Sequence, residues 1–280
     1  MPGLLSFHAH PDDEVIQTGG LLARTAAADR PTMVLTATDG AEGEIHNYED
    51  VDAIRPRLAE VRAEEMAAAM SILGVDNQAF LGYRDSGMMG EDSNLHPDCF
   101  WQADFDEAVG RVIGHIRRFR PDVMTIYDPY GGYGHPDHIQ THRVGLAAVF
   151  AATDLARYPL GEGEETWMVP KVYWSTWPRS RRKRFAEMRL AAGEITQEEF
   201  DKSAESGTPD ELLTFVDTAD LVDVKLKALR AHRSQIPDDW FLLSLEEDVR
   251  NAVMSLESFY RVHSSVVVDD KGDLFAGLDD

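Results

Sequence analysis

The sequence of 280 residues predicts an α/β protein with a Rossmann-like fold, in which helices cover both faces of a mainly parallel sheet and the C-terminal third is less regular. Two observations support this fold class. Short apolar segments alternate with amphipathic helical patterns through the first half of the chain, and this order produces a parallel sheet covered on both faces. The 43% of hydrophobic residues is also enough to build a proper core.

The first half supplies four predicted strands and four predicted helices. Short apolar runs bounded by turn residues are typical of buried strands, whereas apolar residues at three- and four-residue intervals are typical of helices. The helix over 55–73 has the clearest pattern, and Gly74 stands where a C-cap glycine belongs. In chain order the elements are strand 4–9, helix 18–28, strand 32–38, helix 55–73, strand 78–82, helix 104–119, strand 122–127 and helix 139–151.

The pattern loosens after residue 154, but further elements can still be assigned. Strands are predicted at 171–177, 212–217 and 258–262, and helices at 179–189, 197–211 with a loop at its end, 221–233 and 243–256. No internal repeat or low-complexity linker interrupts the chain. We therefore expect a single domain over residues 1–280, with a Rossmann-like core at 1–155 and a C-terminal portion at 156–280 that shapes the ligand pocket.

Composition and charge make several classes of binding partner unfavourable. The formal net charge of −23 disfavours nucleic acid, anionic membranes and strongly anionic substrates, because these partners reward basic surfaces. No apolar run is long enough to span a membrane, and residues 1–3 lead straight into a strand without an export signal. The single cysteine, Cys99, allows no internal disulfide. We expect a cytoplasmic protein whose partner is a small molecule, and a homo-oligomer is compatible with these totals.

Two clusters of ionisable residues each follow a predicted strand. The first is His-Ala-His-Pro-Asp-Asp-Glu at 8–14, and the second is Gly-Gly-Tyr-Gly-His-Pro-Asp-His at 131–138. Such side chains are costly to bury unpaired, so packing alone does not explain them. In open α/β sheets, ligands bind beyond the carboxyl ends of the strands. The two clusters therefore predict one divalent-metal site assembled from both.

Three residues of these clusters provide a ligand set typical of catalytic zinc. His10, Asp13 and His138 would supply two imidazoles and one carboxylate, leaving a position for water. A bound water would have its pKa lowered towards about 7, with Asp12 accepting its proton and His135 stabilising an oxyanion or protonating a leaving amine. Iron(II) and cobalt suit the same ligands. The alternative is that His10 and Asp13 cap a helix and that both later histidines lie in a surface loop.

The same residues carry a family resemblance. His-Pro-Asp-Asp-Glu at 10–14 and His-Pro-Asp-His at 135–138 are similar to the two motifs of the PIG-L/LmbE-like zinc-dependent N-deacetylases. The similarity runs from the first strand to about residue 150 and returns more weakly at 226–235. It implies a Rossmann-like fold, with Zn²⁺, or Fe²⁺ as an alternative, held by His10, Asp13 and His138. It also implies that Asp12 is the general base.

The resemblance further implies roles for residues of the second motif and the loop before it. His135 would be the electrostatic or acid partner, Asp137 would tune that histidine, and Tyr133 would reach the tetrahedral intermediate. The glycines beside Tyr133 indicate mobility, which suits a gating role. An ordinary loop aromatic is the alternative for Tyr133.

Within the family, the chain is similar to the deacetylases of mycothiol biosynthesis and to the mycothiol S-conjugate amidases. Glu44, Arg62 and Asp85 match substrate-contacting positions, and Arg84 beside Asp85 is included among the expected contacts. Carboxylates and guanidinium groups bind sugar hydroxyls through charge-assisted hydrogen bonds. An ion pair with Glu65 is the alternative for Arg62, and turn or capping roles are the alternative for Glu44 and Asp85.

These matches predict hydrolysis of a linear amide C–N bond. The expected reaction is the metal-dependent removal of an N-acyl group, expected to be acetyl, from a glucosamine-type sugar such as N-acetylglucosaminyl-inositol. Gln17 and Gly134 favour this reaction over cleavage of a larger amide such as a mycothiol S-conjugate, whereas residues 178–211 match neither branch. A non-enzymatic sugar- or nucleotide-binding protein is disfavoured, because no Gly-x-Gly-x-x-Gly follows the first strand.

Overall fold

A seven-stranded sheet forms the centre of the fold in the computed structural model, which describes residues 1–269 and 272–278. The strands are β1 Leu4–His8, β2 Thr32–Thr38, β3 Asn77–Tyr83, β4 Val123–Tyr127, β5 Lys171–Ser175, β6 Leu213–Asp217 and β7 Leu256–Ser264. Their order across the sheet is β3-β2-β1-β4-β5-β7-β6. The first five strands pair in parallel, and β7 runs antiparallel between β5 and β6. The mainly parallel sheet expected from the sequence is confirmed.

Helices cover both faces of this sheet, as expected. Val112 of α4 and Val144 of α5 belong to the core cluster on one face. Leu22 of α1, Met66 of α3 and Leu229 of α8 belong to the cluster on the other face. The helices are α1 Asp13–Ala27, α2 Val51–Ile54, α3 Leu58–Leu73, α4 Phe105–Phe119, α5 Pro136–Ala151, α6 Arg179–Ala191, α7 Gln197–Ala204, α8 Val222–Ala231, α9 Phe241–Ser244 and α10 Glu247–Met254.

The strand order reverses between β1 and β4. From β1 the chain moves outward to β2 and β3, and then returns to pair β4 with the other side of β1. A crevice forms where the connections leave the carboxyl ends of such neighbouring strands in opposite directions. The loops after β1 and β4 are the two segments that carry the ionisable clusters, so the topology brings them to one place.

Two helices begin earlier than their apolar patterns predicted. α1 begins at Asp13 instead of residue 18, and α5 begins at Pro136 instead of residue 139. Both helices open with motif residues, Asp13 and Glu14 in α1 and Pro136 to His138 in α5, and these interrupt the apolar periodicity. Acidic residues such as Asp13 and Glu14 are nevertheless favourable beside the positive end of the helix dipole, and proline suits the first helical position.

The less regular C-terminal third also departs from the prediction in places. The helix expected at 243–256 is divided, because Leu245 takes the extended conformation (φ −66°, ψ 147°) that ends α9 before α10 begins. β7 then starts at Leu256 and is longer than the strand expected at 258–262. The short helix α2 was not predicted.

The sheet is continuous across residue 155, since β1 to β4 precede that position and β5 to β7 follow it. The single-domain organisation over 1–280, with its division at 155, stays a prediction. Among the helices of the described chain, none has both the length and the hydropathy required to cross a membrane.

Candidate active site

The two ionisable clusters meet beyond the carboxyl ends of β1 and β4. His10 follows β1 and Asp13 begins α1, whereas His135 and His138 lie at the start of α5. All four side chains are buried, and His138 is fully so. Stretches of chain more than 120 residues apart in the sequence therefore form one site. The surface-loop alternative for the two later histidines is wrong, because both are buried.

Three nitrogen and oxygen atoms in this site form a nearly equilateral triangle. His138 Nε2 lies 3.3 Å from His10 Nδ1. Asp13 Oδ2 lies 3.4 Å from His10 Nδ1 and 3.3 Å from His138 Nε2. A tetrahedral zinc ion with bonds of about 2.0–2.1 Å holds its ligand atoms about 3.3 Å apart. This donor triangle, defined by His10 Nδ1, Asp13 Oδ2 and His138 Nε2, therefore fits such an ion.

Hydrogen bonds at the outer nitrogens orient both imidazoles of the donor triangle. His138 Nδ1 donates to the Gly131 carbonyl oxygen at 3.1 Å, which leaves the Nε2 lone pair facing His10. His10 Nε2 donates to Asp137 Oδ2 at 3.2 Å, which leaves its Nδ1 lone pair facing His138. Such outer contacts are typical of metal-binding histidines, because they fix the tautomer and the ring orientation.

Further groups near His10 could also contribute to ion binding. Ligand atoms of His10, His135 and His138 lie within 4.8 Å of one another, and so do those of His10, Asp85, His135 and Asp137. Burial would lower the pKa of His10, but the Asp85 carboxylate and the hydrogen bonds to Asp13, Asp137 and Asp85 raise it well above its ordinary value. The neighbourhood of the donor triangle thus favours positive charge.

The carboxylate of Asp137 is hydrogen-bonded to His10, and the tuning of His135 expected for it stays a prediction. Its Oδ2 accepts from His10 Nε2 and, at 2.9 Å, from the backbone nitrogen of Ser86. The backbone nitrogen of Asp137 makes the hydrogen bond to His135, donating to Nδ1 at 3.2 Å. Because Nδ1 accepts this bond, the proton of a neutral His135 resides on Nε2.

His135 is neutral in this environment. Burial lowers its pKa to about 2, and the neighbouring rings of His10 and His138 contribute to the lowering. The ring of His135 meets that of His10 edge to face at 4.5 Å. A neutral imidazole with its proton on Nε2 is a hydrogen-bond donor towards the site.

Asp12 lies beside the donor triangle and is paired with Arg62. Arg62 Nη2 donates to Asp12 Oδ2 at 3.0 Å and to the Pro11 carbonyl oxygen at 2.6 Å. Burial raises the pKa of Asp12 to about 6, although Arg62 opposes the rise. Glu65, the alternative partner of Arg62, is instead bonded to Ser234.

A cavity of about 310 Å³ opens onto these residues. It is lined by eight predicted site residues: His10, Asp12, Asp13, Glu44, Arg62, Asp85, Tyr133 and His135. Sequence reasoning did not single out the other lining residues, which are Glu42, Gly43, Gly87, Met88, Glu91 and Gln235. Carboxylates dominate this wall, so the cavity suits a neutral ligand with many hydroxyl groups.

The predicted substrate contacts differ in their positions. The side chain of Glu44 is 88% exposed at the rim, whereas Asp85 is buried and accepts from the backbone nitrogens of Glu42 and Gly87. Asp85 therefore has the turn contacts of its alternative role while still lining the cavity. Arg84 does not line it; its guanidinium is paired with Glu42.

Tyr133 lies in a glycine-rich turn at the mouth of the cavity. The residue is 57% exposed, and its ring centroid lies 4.9 Å from that of His138. Gly132 and Gly134 on either side have φ values of +74° and +96°. Its position at the mouth is compatible with the predicted gating role.

A family model described as PIG-L, GlcNAc-PI de-N-acetylase, matches residues 5–149. A 1D-myo-inositol 2-acetamido-2-deoxy-alpha-D-glucopyranoside deacetylase of Streptomyces avermitilis is 40% identical, with 98% of this chain and 97% of the relative covered. The enzyme of the same name from Thermobispora bispora is 42% identical, and the match covers 91% of this chain and 86% of that relative. Among solved structures, the N,N'-diacetylchitobiose deacetylase of Pyrococcus horikoshii aligns with a TM-score of 0.59 at 22% identity, covering 93% of this chain and 84% of that one. At that identity the likeness shows the fold alone.

Proposed function

Since the chain belongs to the PIG-L family of GlcNAc-PI de-N-acetylases, we propose that it hydrolyses the acetamide of N-acetylglucosaminyl-inositol to acetate and the free amino sugar. The observation that carries this proposal is the donor triangle with the Asp12 carboxylate beside it. Relatives about 40% identical over nearly the whole chain are named for the same reaction.

We assign the metal to the donor triangle. His10, Asp13 and His138 would hold Zn²⁺, with Fe²⁺ as the alternative. When bound, such an ion acts as a Lewis acid that polarises an amide carbonyl and lowers the pKa of water. The ligand atoms suit both metals, so their chemistry alone does not select one.

In this proposal, Asp12 moves the protons of the reaction. Its carboxylate accepts a proton from the attacking water and later delivers it to the leaving amine nitrogen. A pKa of about 6 serves both steps near neutral pH, because the group is mostly ionised yet returns a proton readily. The Arg62 guanidinium, 3.0 Å from Asp12 Oδ2, keeps that carboxylate oriented.

His135 stabilises the developing oxyanion by donating from Nε2. Its lowered pKa makes it a neutral donor, which favours the electrostatic role over the acid role. Tyr133 is placed at the cavity mouth to add a second donor when the turn closes over the substrate. The remaining carboxylates of the wall accept hydrogen bonds from sugar and inositol hydroxyls.

Acetate release tests the proposal. Apoprotein reconstituted with one equivalent of Zn²⁺, or anaerobically with Fe²⁺, is expected to release acetate from N-acetylglucosaminyl-inositol much faster than from a bimane S-conjugate of mycothiol. Faster cleavage of the conjugate would show that the amidase alternative is right. No acetate from the sugar with either metal would refute the proposed function.

The location and assembly of the enzyme are part of the same proposal. We propose that it acts in the cytoplasm, where its free, buried thiol Cys99 would stay reduced. A homo-oligomer stays a prediction, and sedimentation of the metal-loaded protein would check it.

A further inference from the structure

The segment at 232–235, directly after α8, is hydrogen-bonded to three separate segments of the chain around the site. His232 Nε2 lies 2.8 Å from Glu14 Oε1. Gln235 Nε2 donates to the Glu44 carbonyl oxygen at 2.9 Å, and Ser234 is bonded to Glu65 on α3. This segment lies within the weaker region of family similarity, and nothing in the proposed reaction uses His232.

The backbone of Asp12 requires support. Its φ of 125° and ψ of −32° lie where residues other than glycine are rarely found, so the surrounding structure must hold it there. The backbone nitrogen of Asp12 donates to Glu14 Oε2 at 2.9 Å. On the other side, Arg62 holds the Pro11 carbonyl. The peptide between Pro11 and Asp12 is thus held from both sides.

The two carboxylate oxygens of Glu14 bind different partners. Oε2 accepts from Asp12, and Oε1 accepts from His232. Both Glu14 and His232 are fully buried, and neither lines the cavity or belongs to the donor triangle. An acidic residue in a first turn can stabilise a helix from an exposed position, so complete burial of this hydrogen-bonded pair calls for another explanation.

We propose that Glu14 and His232 form a positioning pair that holds the Asp12 backbone in its strained conformation and so aims the Asp12 carboxylate at the reaction centre. The inference rests on the proposed function, because it takes Asp12 as the general base. Neither residue touches the substrate. His232 fixes Glu14, and Glu14 fixes Asp12.

Substitutions of Glu14 test the proposal directly. Glu14→Ala removes the acceptor for the Asp12 amide, and kcat is expected to fall on the order of 100-fold, the cost of misplacing a reacting group by about 1 Å. KM and the metal content per chain are expected to stay within about threefold, since the cavity wall and the donor triangle are untouched. Glu14→Gln keeps a carbonyl oxygen for that amide and is expected to recover most of kcat.

A double-mutant cycle separates positioning from general damage. In the Asp12→Ala background, Glu14→Ala is expected to lower the residual kcat by less than about threefold, because the group that it aims is absent. A full additional loss in that background would refute the proposal. So would a Glu14→Ala enzyme whose kcat stays within threefold of the wild type.

His232 provides a second pair of variants, should Glu14→Ala fail to fold. His232→Gln places an amide donor near the position of Nε2 and is expected to keep kcat within about threefold, whereas His232→Leu is expected to lower it on the order of tenfold. Equal activity of the two variants would refute the relay through His232. Lys225→Met, which breaks the Lys225–Glu257 pair (2.7 Å), another buried pair, is the control and should lower Tm without changing kcat.

A spectroscopic measurement distinguishes failure of this inference from failure of the proposed function. In ¹⁵N-labelled, Zn²⁺-loaded protein, the Asp12 amide proton is expected to resonate downfield and to move upfield in Glu14→Ala and His232→Leu. This shift is readable even if the wild type releases no acetate. An Asp12 amide that does not move would overturn the positioning pair whatever the enzyme hydrolyses.

Discussion

Asp12 combines an uncommon backbone with an uncommon charge environment. Its φ is 125°, and its carboxylate lies between Arg62 and two neighbouring carboxylates, Asp13 and Glu14. At the scale of single residues, this arrangement determines when Asp12, the proposed general base, is ionised and where its carboxylate points. Two predictions follow from it.

Asp12→Ala should separate catalysis from metal binding. Loss of a general base typically costs about 10²- to 10⁴-fold in rate, so kcat for acetate release is expected to fall by roughly a thousandfold. The donor triangle does not include Asp12, so zinc per chain, measured by atomic emission, should be unchanged. A zinc-free Asp12→Ala protein would show that the ligand and base assignments are exchanged.

Activity should rise with pH as Asp12 loses its proton. The pKa of about 6 places the acidic limb of kcat/KM near pH 6, with low activity below it and full activity above it. The Arg62 charge lowers this pKa, so Arg62→Gln is expected to move the limb to higher pH by roughly 1 unit. Arg55→Gln removes a cation that donates to the Ala41 and Gly43 carbonyls, and it should leave the limb in place.

Most of the candidate site could be predicted from the sequence because its residues stand in two short motifs. The motifs do not reveal which atoms meet, and so the contact between the Asp137 carboxylate and His10 was not predicted. Gln235 was missed for another reason: it reaches Glu44 across 191 positions of the chain, and no local pattern encodes that contact.

At the scale of elements, the first turn of α5 depends on one glycine. A Cβ added at Gly131 would collide with the Cβ of His138 and would come within 2.8 Å of the Ile139 nitrogen. The Gly131 carbonyl also accepts the bond that orients His138. The turn before α5 and His138, the proposed metal ligand on α5, are therefore coupled.

Gly131→Ala is expected to weaken zinc binding by about 10- to 100-fold, the range seen when the outer partner of a metal ligand is disturbed. Gly132→Ala is the matched control. Its φ of +74° imposes a similar backbone strain, but no atom lies within 4 Å of the added Cβ. Competition with a chelator would measure both affinities. Equal losses in the two variants would argue against the coupling.

The strands were easier to predict than the helix starts. β2 coincides with its predicted bounds, because the apolar run at 33–35 is typical of a buried strand and the β-branched threonines around it favour the extended backbone. α1 and α5 begin with residues of the two motifs, which interrupt the apolar periodicity, so that periodicity placed both starts too late. At α9 and α10 the apolar pattern predicted too much helix. Leu245 continues that pattern, but its backbone is extended and separates the two helices.

At the scale of the whole molecule, charge is expected to select the substrate. The net charge is −23, and the cavity wall carries Glu42, Glu44, Asp85 and Glu91. An analogue of the substrate with a phosphate on its inositol ring should therefore have a kcat/KM lower by about tenfold or more at low salt. Added salt should reduce the difference, because it screens exposed charges.

Glu44→Gln provides the check on this explanation, because the Glu44 side chain is 88% exposed at the rim. Removing its charge should narrow the gap between the neutral and the phosphorylated compound. A gap that responds to neither salt nor Glu44→Gln would indicate a steric origin instead.

The buried contact between Glu14 and His232 joins positions 218 residues apart. The match to the family model ends at residue 149, so an excised N-terminal fragment would keep the three proposed metal ligands but lose His232, the proposed anchor of Asp12 through Glu14. Chimaeras that exchange C-terminal thirds between relatives should therefore inherit turnover number from the donor of that third. Substitutions intended to change the substrate are best confined to the rim of the cavity, away from the buried Glu14–His232 contact.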